Sequence, residues 1–196
     1  TTWSRGLGDV YKRQDDIWIR DYLPKIYISD GSKKMIRYRF NAYGEKYNHK
    51  NDNKFKEILN YISDEIDLDS LVLEGGNLEF SASGILITNM HCIKKNNIAS
   101  FTIDIEKEIN RMTKKLGVSE LFTINLNGII GDDTNGHIDN FIRFIDNETI
   151  VYFASKDESY CNYQLACKLA KQVKDIVDRS KIIKQAIPLY HSKDDE

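Results

Sequence analysis

Three short stretches of this chain concentrate groups that can hold charge or move protons. Asp21 follows Trp18 and Arg20, shortly before the turn residue Pro24. Glu74 opens the run Glu-Gly-Gly-Asn. Gly131-Asp132-Asp133-Thr134-Asn135-Gly136-His137-Ile138-Asp139-Asn140 packs three carboxylates and one histidine into ten residues. On an extended segment His137 and Asp139, two residues apart, would project to one face. A histidine oriented by a carboxylate is a pattern for general acid/base work. The same Asp and Gly also suit a plain hairpin turn, with His137 a satisfied, partly buried residue. As a set, Asp21, Glu74 and Asp139 with Trp18 as an aromatic wall and His137 as proton carrier fit a planar cation. Carboxylates pair bidentately with a guanidinium, and an aromatic face attracts it. Three like charges tolerate burial only when a cation arrives or protons are taken up.

Metal chemistry fits these stretches poorly. Aligning Gly136 with the glycine of a calcium loop puts Gly131 at the first ligand and Ile142 at the bidentate glutamate, so that loop fails. His91-Cys92 is adjacent, and no His/Cys pair has zinc-ligand spacing. The expectation is no metal.

The elements that must position these groups follow from periodicity. Lys25 to Phe40 alternates around Ser29-Asp30-Gly31 and reads as a hairpin. Asn53 to Asp67 carries Phe55, Ile58, Leu59, Ile62 and Ile66 at helical spacing. Leu71 to Phe80 and Gly84 to Asn89 read as strands, the latter ending at His91-Cys92. A second helix is expected from Ile103 to Leu116, with Thr102 as cap and Gly117 as stop. Leu121 to Asn125 is a short strand before the glycine-rich loop 127–136. His137 to Ala154 reads as a hairpin turning at Asp146-Asn147, Tyr160 to Arg179 as a third helix, and Ile182 to Tyr190 as a strand interrupted by Pro188. Helix starts near 53, 103 and 160 suggest a repeated strand–strand–helix–strand unit. Such a unit cannot bury its apolar face alone. An ordinary mixed α/β sandwich with evenly spaced elements fits the same spacing.

Composition narrows the partners. The chain has 196 residues, 28 basic and 30 acidic side chains and a net charge of −2. That balance excludes nucleic-acid binding by bulk charge, and no apolar run is long enough for a membrane span. Three cysteines, Cys92, Cys161 and Cys167, suit a reducing cytoplasm better than a disulfide scaffold. Residues 1–14 have no apolar period and no initiator Met, and Asp9-Val10-Tyr11-Lys12-Arg13-Gln14 matches the translation of a common transposase sequencing adapter. We expect 1–14 to be read-through and 15–196 to be part of one catalytic domain. Setting 1–14 aside removes three basic charges and one acidic charge and leaves −4.

Four strings carry a resemblance. Asp-Asp-Ile-Trp-Ile-Arg-Asp (15–21), Asn-Ala-Tyr-Gly-Glu-Lys-Tyr (41–47), Leu-Glu-Gly-Gly-Asn-Leu-Glu-Phe (73–80) and Gly131 to Asn140 occur in the same order in the agmatine deiminase family, which the chain resembles from Asp15 to about Leu189. The resemblance implies an α/β fold of pentein type, a five-module α/β propeller of which this chain would be an incomplete copy. It implies hydrolysis of agmatine to N-carbamoylputrescine and ammonia, without metal or organic cofactor, through a cysteine thiolate and a covalent thiouronium. By motif position Asp21 and Asp139 would anchor the guanidinium, Trp18 would wall it, Glu74 would support substrate or histidine, and His137 would be the acid/base. The implied partner is a small guanidino cation, with no nucleic acid and no membrane; a homo-oligomer is compatible.

Three departures stand out. Leu23 replaces a usual Gly, Tyr43 replaces a usual Trp, and the family's glycine-rich cysteine motif is absent between His137 and Glu196. None of the three cysteines present is expected to be the nucleophile, so the chain is expected to be an inactive fragment. Two other readings compete: a peptidyl-arginine deiminase, and a non-catalytic module that binds a guanidinium or polyamine.

Overall fold

A computed structural model describes residues 15–29, 32–54, 64–98 and 103–191. The expected read-through 1–14, the hairpin residues Asp30 and Gly31, the helical positions Phe55, Ile58, Leu59 and Ile62, and the cap Thr102 lie outside them. The chain divides into two units, Thr1–Gly75 with Asn96–Glu108, and Gly76–Lys95 with Ile109–Glu196.

The first unit is built on one three-stranded sheet in the order β1-β2-β3. Strand β1 (Lys25–Ser29) pairs antiparallel with β2 (Ser32–Arg39), and β3 (Asp64–Val72) lies parallel to β2, with a register shift after Tyr38. Met35, Ile36 and Tyr38 of the central strand β2, and Phe40 just after it, are buried. Beside it, Tyr22 from helix α1 (Ile19–Tyr22) packs with Phe40, Ala42 and Tyr43. The Phe40 and Tyr43 rings meet edge-on at 5.7 Å and 89°, an arrangement that suits their quadrupoles. Asn97 finishes β3 as a neighbouring strand would: its Oδ1 accepts from Val72 N–H at 2.9 Å and its Nδ2 donates to Val72 C=O at 2.8 Å. Helix α2 (Lys50–Lys54) is short.

The second unit holds two sheets of the same pattern. In one, β4 (Glu79–Phe80) is antiparallel to β5 (Ile85–Asn89), and β6 (Glu120–Ile124) is parallel to β5. In the other, β7 (Ile142–Phe144) is antiparallel to β8 (Thr149–Ala154), and β9 (Gln185–Tyr190) is parallel to β8. A parallel neighbour requires a long crossover. Helices α3 (Met90–Asn96) and α4 (Ile105–Leu116) lie between β5 and β6, and α5 (Tyr163–Arg179) lies between β8 and β9. Every residue of β5 is buried, as expected for a strand covered on both faces. Helix α5 buries Ala166, Leu169, Val173 and Ile176, spaced three or four apart, and the last three share one core with residues of β5, β6 and β8. The unit's core runs through Ile85, Ile87, Phe122, Ile124, Ile138, Phe141, Ile150 and Leu169.

All three sheets therefore repeat strand, antiparallel strand, crossover, parallel strand, which is the repeat that the helix spacing suggested. The expected helix over Asn53–Asp67 is corrected at its end, because Asp64–Val72 is strand β3. The expected strand Leu71–Phe80 is broken: β3 stops at Val72, and a 3-10 turn, Gly75–Asn77, precedes the two-residue β4. His91-Cys92 lies in helix α3, not at a strand end. Pro188 does not interrupt β9, where it pairs opposite Tyr152; an edge strand tolerates proline. Cys161 is exposed and Cys167 half-buried, whereas Cys92 is the buried thiol. No helix among the described residues is long and apolar enough to cross a membrane.

Candidate functional site

In the first unit the segment from Asp15 to Asp21 is laid down by side-chain acceptors. Asp52 Oδ1 accepts the N–H groups of Asp15 and Asp16 at 2.8 and 3.3 Å. The Asp15 carboxylate accepts from Asn51 N–H at 2.6 Å and from the Asn48 side chain at 3.0 Å. Asp16 Oδ1 accepts from Trp18 N–H at 3.1 Å, which turns the chain into α1. Asp21, in α1, is buried at 6% exposure, while Trp18 stands 63% exposed.

The motif 41–47 forms an unusual corner. Ala42, Tyr43, Gly44 and Glu45 have φ of 49°, 63°, 85° and 67°, four left-handed residues in succession. For non-glycine residues that conformation is costly. It is held by Asn41, whose Oδ1 accepts from Gly44 N–H at 3.1 Å and whose Nδ2 donates to Asn96 C=O at 2.8 Å. The corner aims Tyr43 at three carboxylates. Its N–H donates to Glu74 Oε1 at 2.9 Å, and its hydroxyl lies 3.1 Å from Asp21 Oδ2 and 3.3 Å from Asp16 Oδ2. Glu74 is itself 1% exposed. Burial, then the charge of Asp21, holds the Tyr43 phenol far above its ordinary value, and the same two causes act on Tyr38. Tyr38 keeps its proton by donating to Leu23 C=O at 2.8 Å. Gly75 completes the approach: a Cβ there would sit 1.9 Å from Arg20 C=O. Only glycine lets the chain after Glu74 pass against the backbone beside Asp21.

In the second unit His137 is fixed from both sides. Its N–H donates to Thr134 Oγ1 at 3.1 Å. The preceding C=O, of Gly136, accepts from Asn89 Nδ2 at 2.7 Å, and the following N–H, of Ile138, donates to Asn77 Oδ1 at 3.2 Å. Asn77 Oδ1 also accepts from Asn89 N–H at 3.1 Å, so the two asparagines form one brace. Asp132 folds the glycine-rich loop below it, accepting from Thr134 N–H at 3.0 Å and Gly136 N–H at 2.8 Å. The His137 side chain is 3% exposed. Cys92, from α3, donates Sγ–H to Thr134 C=O at 3.5 Å, and its sulfur lies within 4.8 Å of a His137 ring nitrogen. A thiol and an imidazole so placed could also ligate a soft metal ion, a proximity hidden in sequence by their distance along the chain.

The expected common face of His137 and Asp139 is corrected. Ile138–Asn140 is a 3-10 turn, so the residues from His137 to Asp139 are not an extended run. Asp139 is half-buried and faces Arg143, with Oδ2 3.9 Å from the guanidinium, while Arg143 Nε lies 3.2 Å from the buried Glu79. Sequence reasoning named Asp21, Trp18, Glu74, His137 and Asp139. The structure places the first three in the first unit, where Tyr43 joins Asp21 to Glu74, and the last two in the second. It missed Asn77, Asn89, Thr134 and Cys92 as the setting of His137. Of these only Asn89 carried a local signal, an asparagine closing a mostly apolar strand.

The model of the Porphyromonas-type peptidyl-arginine deiminase family matches residues 10–195. The chain belongs to this family. Agmatine deiminases of Stutzerimonas stutzeri and Pseudomonas aeruginosa are each 28% identical to it, over 95% and 92% of this chain and 54% and 52% of theirs. The chain thus spans about half the length of the curated relatives it matches. Among solved members of the fold, a protein of Porphyromonas gingivalis aligns at TM-score 0.79 and 28% identity, over 92% of this chain and 55% of that one. A serine-for-cysteine variant of C. jejuni agmatine deiminase with substrate bound aligns at TM-score 0.77 and 26% identity, over 91% and 52%. The α/β fold of the deiminases is therefore the fold of this chain. Its four quoted motifs all fall within the family match.

Proposed function

We propose that this chain is the guanidinium-recognising part of an enzyme that hydrolyses agmatine to N-carbamoylputrescine and ammonia. The observation that carries this reading is the joining of two motif carboxylates, Asp21 and Glu74, through Tyr43, in a chain whose curated relatives are named agmatine deiminases. A buried carboxylate set favours a cationic guanidinium over the neutral ureido product, which assists product release.

The roles follow from the motifs. In the first unit Asp21 takes guanidinium N–H groups, Trp18 covers the planar group and Glu74 supports the site. In the second, Asp139 is a further guanidinium acceptor and His137 is the general acid/base. A cysteine thiolate attacks the guanidinium carbon, and His137 delivers a proton as ammonia leaves. His137 then takes a proton from the water that cleaves the thiouronium and restores the thiol. Cys92, Cys161 and Cys167 are not assigned the attack: Cys92 Sγ–H is engaged with Thr134 C=O, and Cys161 is exposed on the surface. By itself the 196-residue chain then binds agmatine and releases no ammonia. No resident metal or organic cofactor enters this chemistry. The three sheets are read as modules of a five-module α/β propeller, and three free cysteines fit a reducing cytoplasm.

Titration calorimetry of the chain with agmatine, and with N-carbamoylputrescine as the neutral control, tests the proposal. Equal or absent binding of the two overturns it. The description of the matching family favours a second reading, deimination of peptidyl-arginine. An arginine-containing peptide that binds more tightly than agmatine establishes that one instead.

A further inference from the structure

We infer that Tyr43 is a positioning residue for guanidinium recognition, its hydroxyl fixing the Asp21 carboxylate while its own N–H fixes Glu74. This rests on the proposed reading of Asp21 as a guanidinium anchor and adds a residue to it.

The geometry is costly to build and is not needed for packing alone. Tyr43 is 3% exposed and stacks edge-on with Phe40 and Tyr47; a phenylalanine would make the same ring contacts. What the tyrosine adds is one O–H, placed 3.1 Å from Asp21 Oδ2 and 3.3 Å from Asp16 Oδ2. Its left-handed backbone, φ 63° and ψ 40°, turns the N–H toward Glu74 Oε1 at 2.9 Å while the ring runs the other way toward Asp21. One residue thereby sets the spacing of two carboxylates that come from motifs far apart in sequence. A phenol has a single proton, so Asp16 and Asp21 share one donor, and N–H groups of an arriving cation would add to it. The groups whose charge bears on this corner are Asp16, Asp21 and Glu74 around Tyr43, with Arg20 beside Tyr38. The phenol stays protonated there, held up by burial and by Asp21.

Tyr43→Phe keeps the ring and removes the donor; Asp21→Asn removes the anchor. Agmatine affinity of the intact chain is measured by calorimetry across acid pH. In parallel, the side-chain carboxyl carbon of Asp21 is followed by NMR in the ligand-free chain. Tyr43→Phe is expected to weaken agmatine binding roughly tenfold, the scale of a hydrogen bond to a charged group. It is also expected to move the acid limb of the binding profile and the Asp21 carboxyl midpoint upward, because the ionised form loses a donor. A purely structural role would leave the Asp21 midpoint where it is. An unmoved midpoint in Tyr43→Phe, with wild-type melting behaviour, overturns the inference even if agmatine binds. Loss of binding in Asp21→Asn with wild-type affinity in Tyr43→Phe likewise overturns it and leaves the function intact. A midpoint that moves in a chain indifferent to agmatine upholds Tyr43 as the fixer of Asp21 and overturns the guanidinium reading instead.

Discussion

Asn77 Oδ1 accepts the backbone N–H of Ile138 at 3.2 Å across 61 residues of sequence. The same oxygen accepts from Asn89 N–H, and Asn89 in turn holds the carbonyls of Leu126 and Gly136 at 2.7 Å each. The backbone on both sides of a histidine proposed to move protons is thus clamped by two buried amides.

Asn89→Ala is expected to destabilise the second unit by about 3 kcal/mol, because two buried carbonyls lose their donor. Urea unfolding checks it. Asn77→Ala follows the same direction, and the double variant falls short of the sum because both residues hold one loop. Additive losses would show that the brace is not a unit.

Gly75→Ala is expected to cost about 2 kcal/mol or more. The new Cβ would meet Arg20 C=O at 1.9 Å, and a backbone oxygen cannot swing aside. Because Arg20 adjoins Asp21, agmatine affinity should fall along with the melting temperature. Retained affinity at lowered stability would detach this contact from recognition.

His137→Gln, made in a protein that also carries the nucleophile, is expected to lower kcat by about 10²–10⁴ with little change in KM. Ammonia release from agmatine reads this. Turnover within about tenfold of the unmodified enzyme removes the acid/base role.

Alkaline pH should weaken the first unit through Tyr38 and Tyr43. Both phenols are held above the ordinary 10.0, by burial first and the Asp21 charge second. The folded chain therefore keeps protons that the unfolded chain releases above that pH. Their contribution is full below pH 10 and declines as pH rises beyond it. The expected slope is about 1.4 kcal/mol per pH unit for each phenol. Urea midpoints at stepped alkaline pH should show a shallower decline in Tyr38→Phe and in Tyr43→Phe. Slopes equal to wild type in both would contradict it.

Elements with a strong local pattern were legible from sequence. Helix α5 has its apolar stripe at Ala166, Leu169, Val173 and Ile176, and β1 and β2 pair antiparallel as the two arms of the expected hairpin. Helix α4 starts at Ile105 within two residues of its expected start and ends at Leu116, with Asp104 Oδ1 capping Lys107 N–H. The failures are local conflicts. The helical period of 53–67 overran the alternation Ile66-Asp67-Leu68-Asp69, which belongs to β3. Helix α3 is seven residues long and follows a fully buried strand without any turn signal. Two-residue β4 has no pattern to read.

The residues proposed to bear the chemistry were named from sequence alone: Asp21, Glu74, His137 and Asp139 stand in three of four ordered motifs whose types and spacing need no coordinates to be seen. Helix spacing only suggested the repeat, since an evenly spaced mixed sandwich fitted it equally; the three sheets, each adding an antiparallel and then a parallel strand, decided it. Tertiary structure decided what holds those residues. Tyr43 reaches Asp21 only because four left-handed residues turn the chain at 42–45, and His137 is clamped only because Asn77 and Asn89 arrive from another part of the chain. Periodicity records which face of an element is apolar. It carries no trace of a hydrogen bond between residues far apart in sequence, since that bond depends on where two segments meet and not on what either contains.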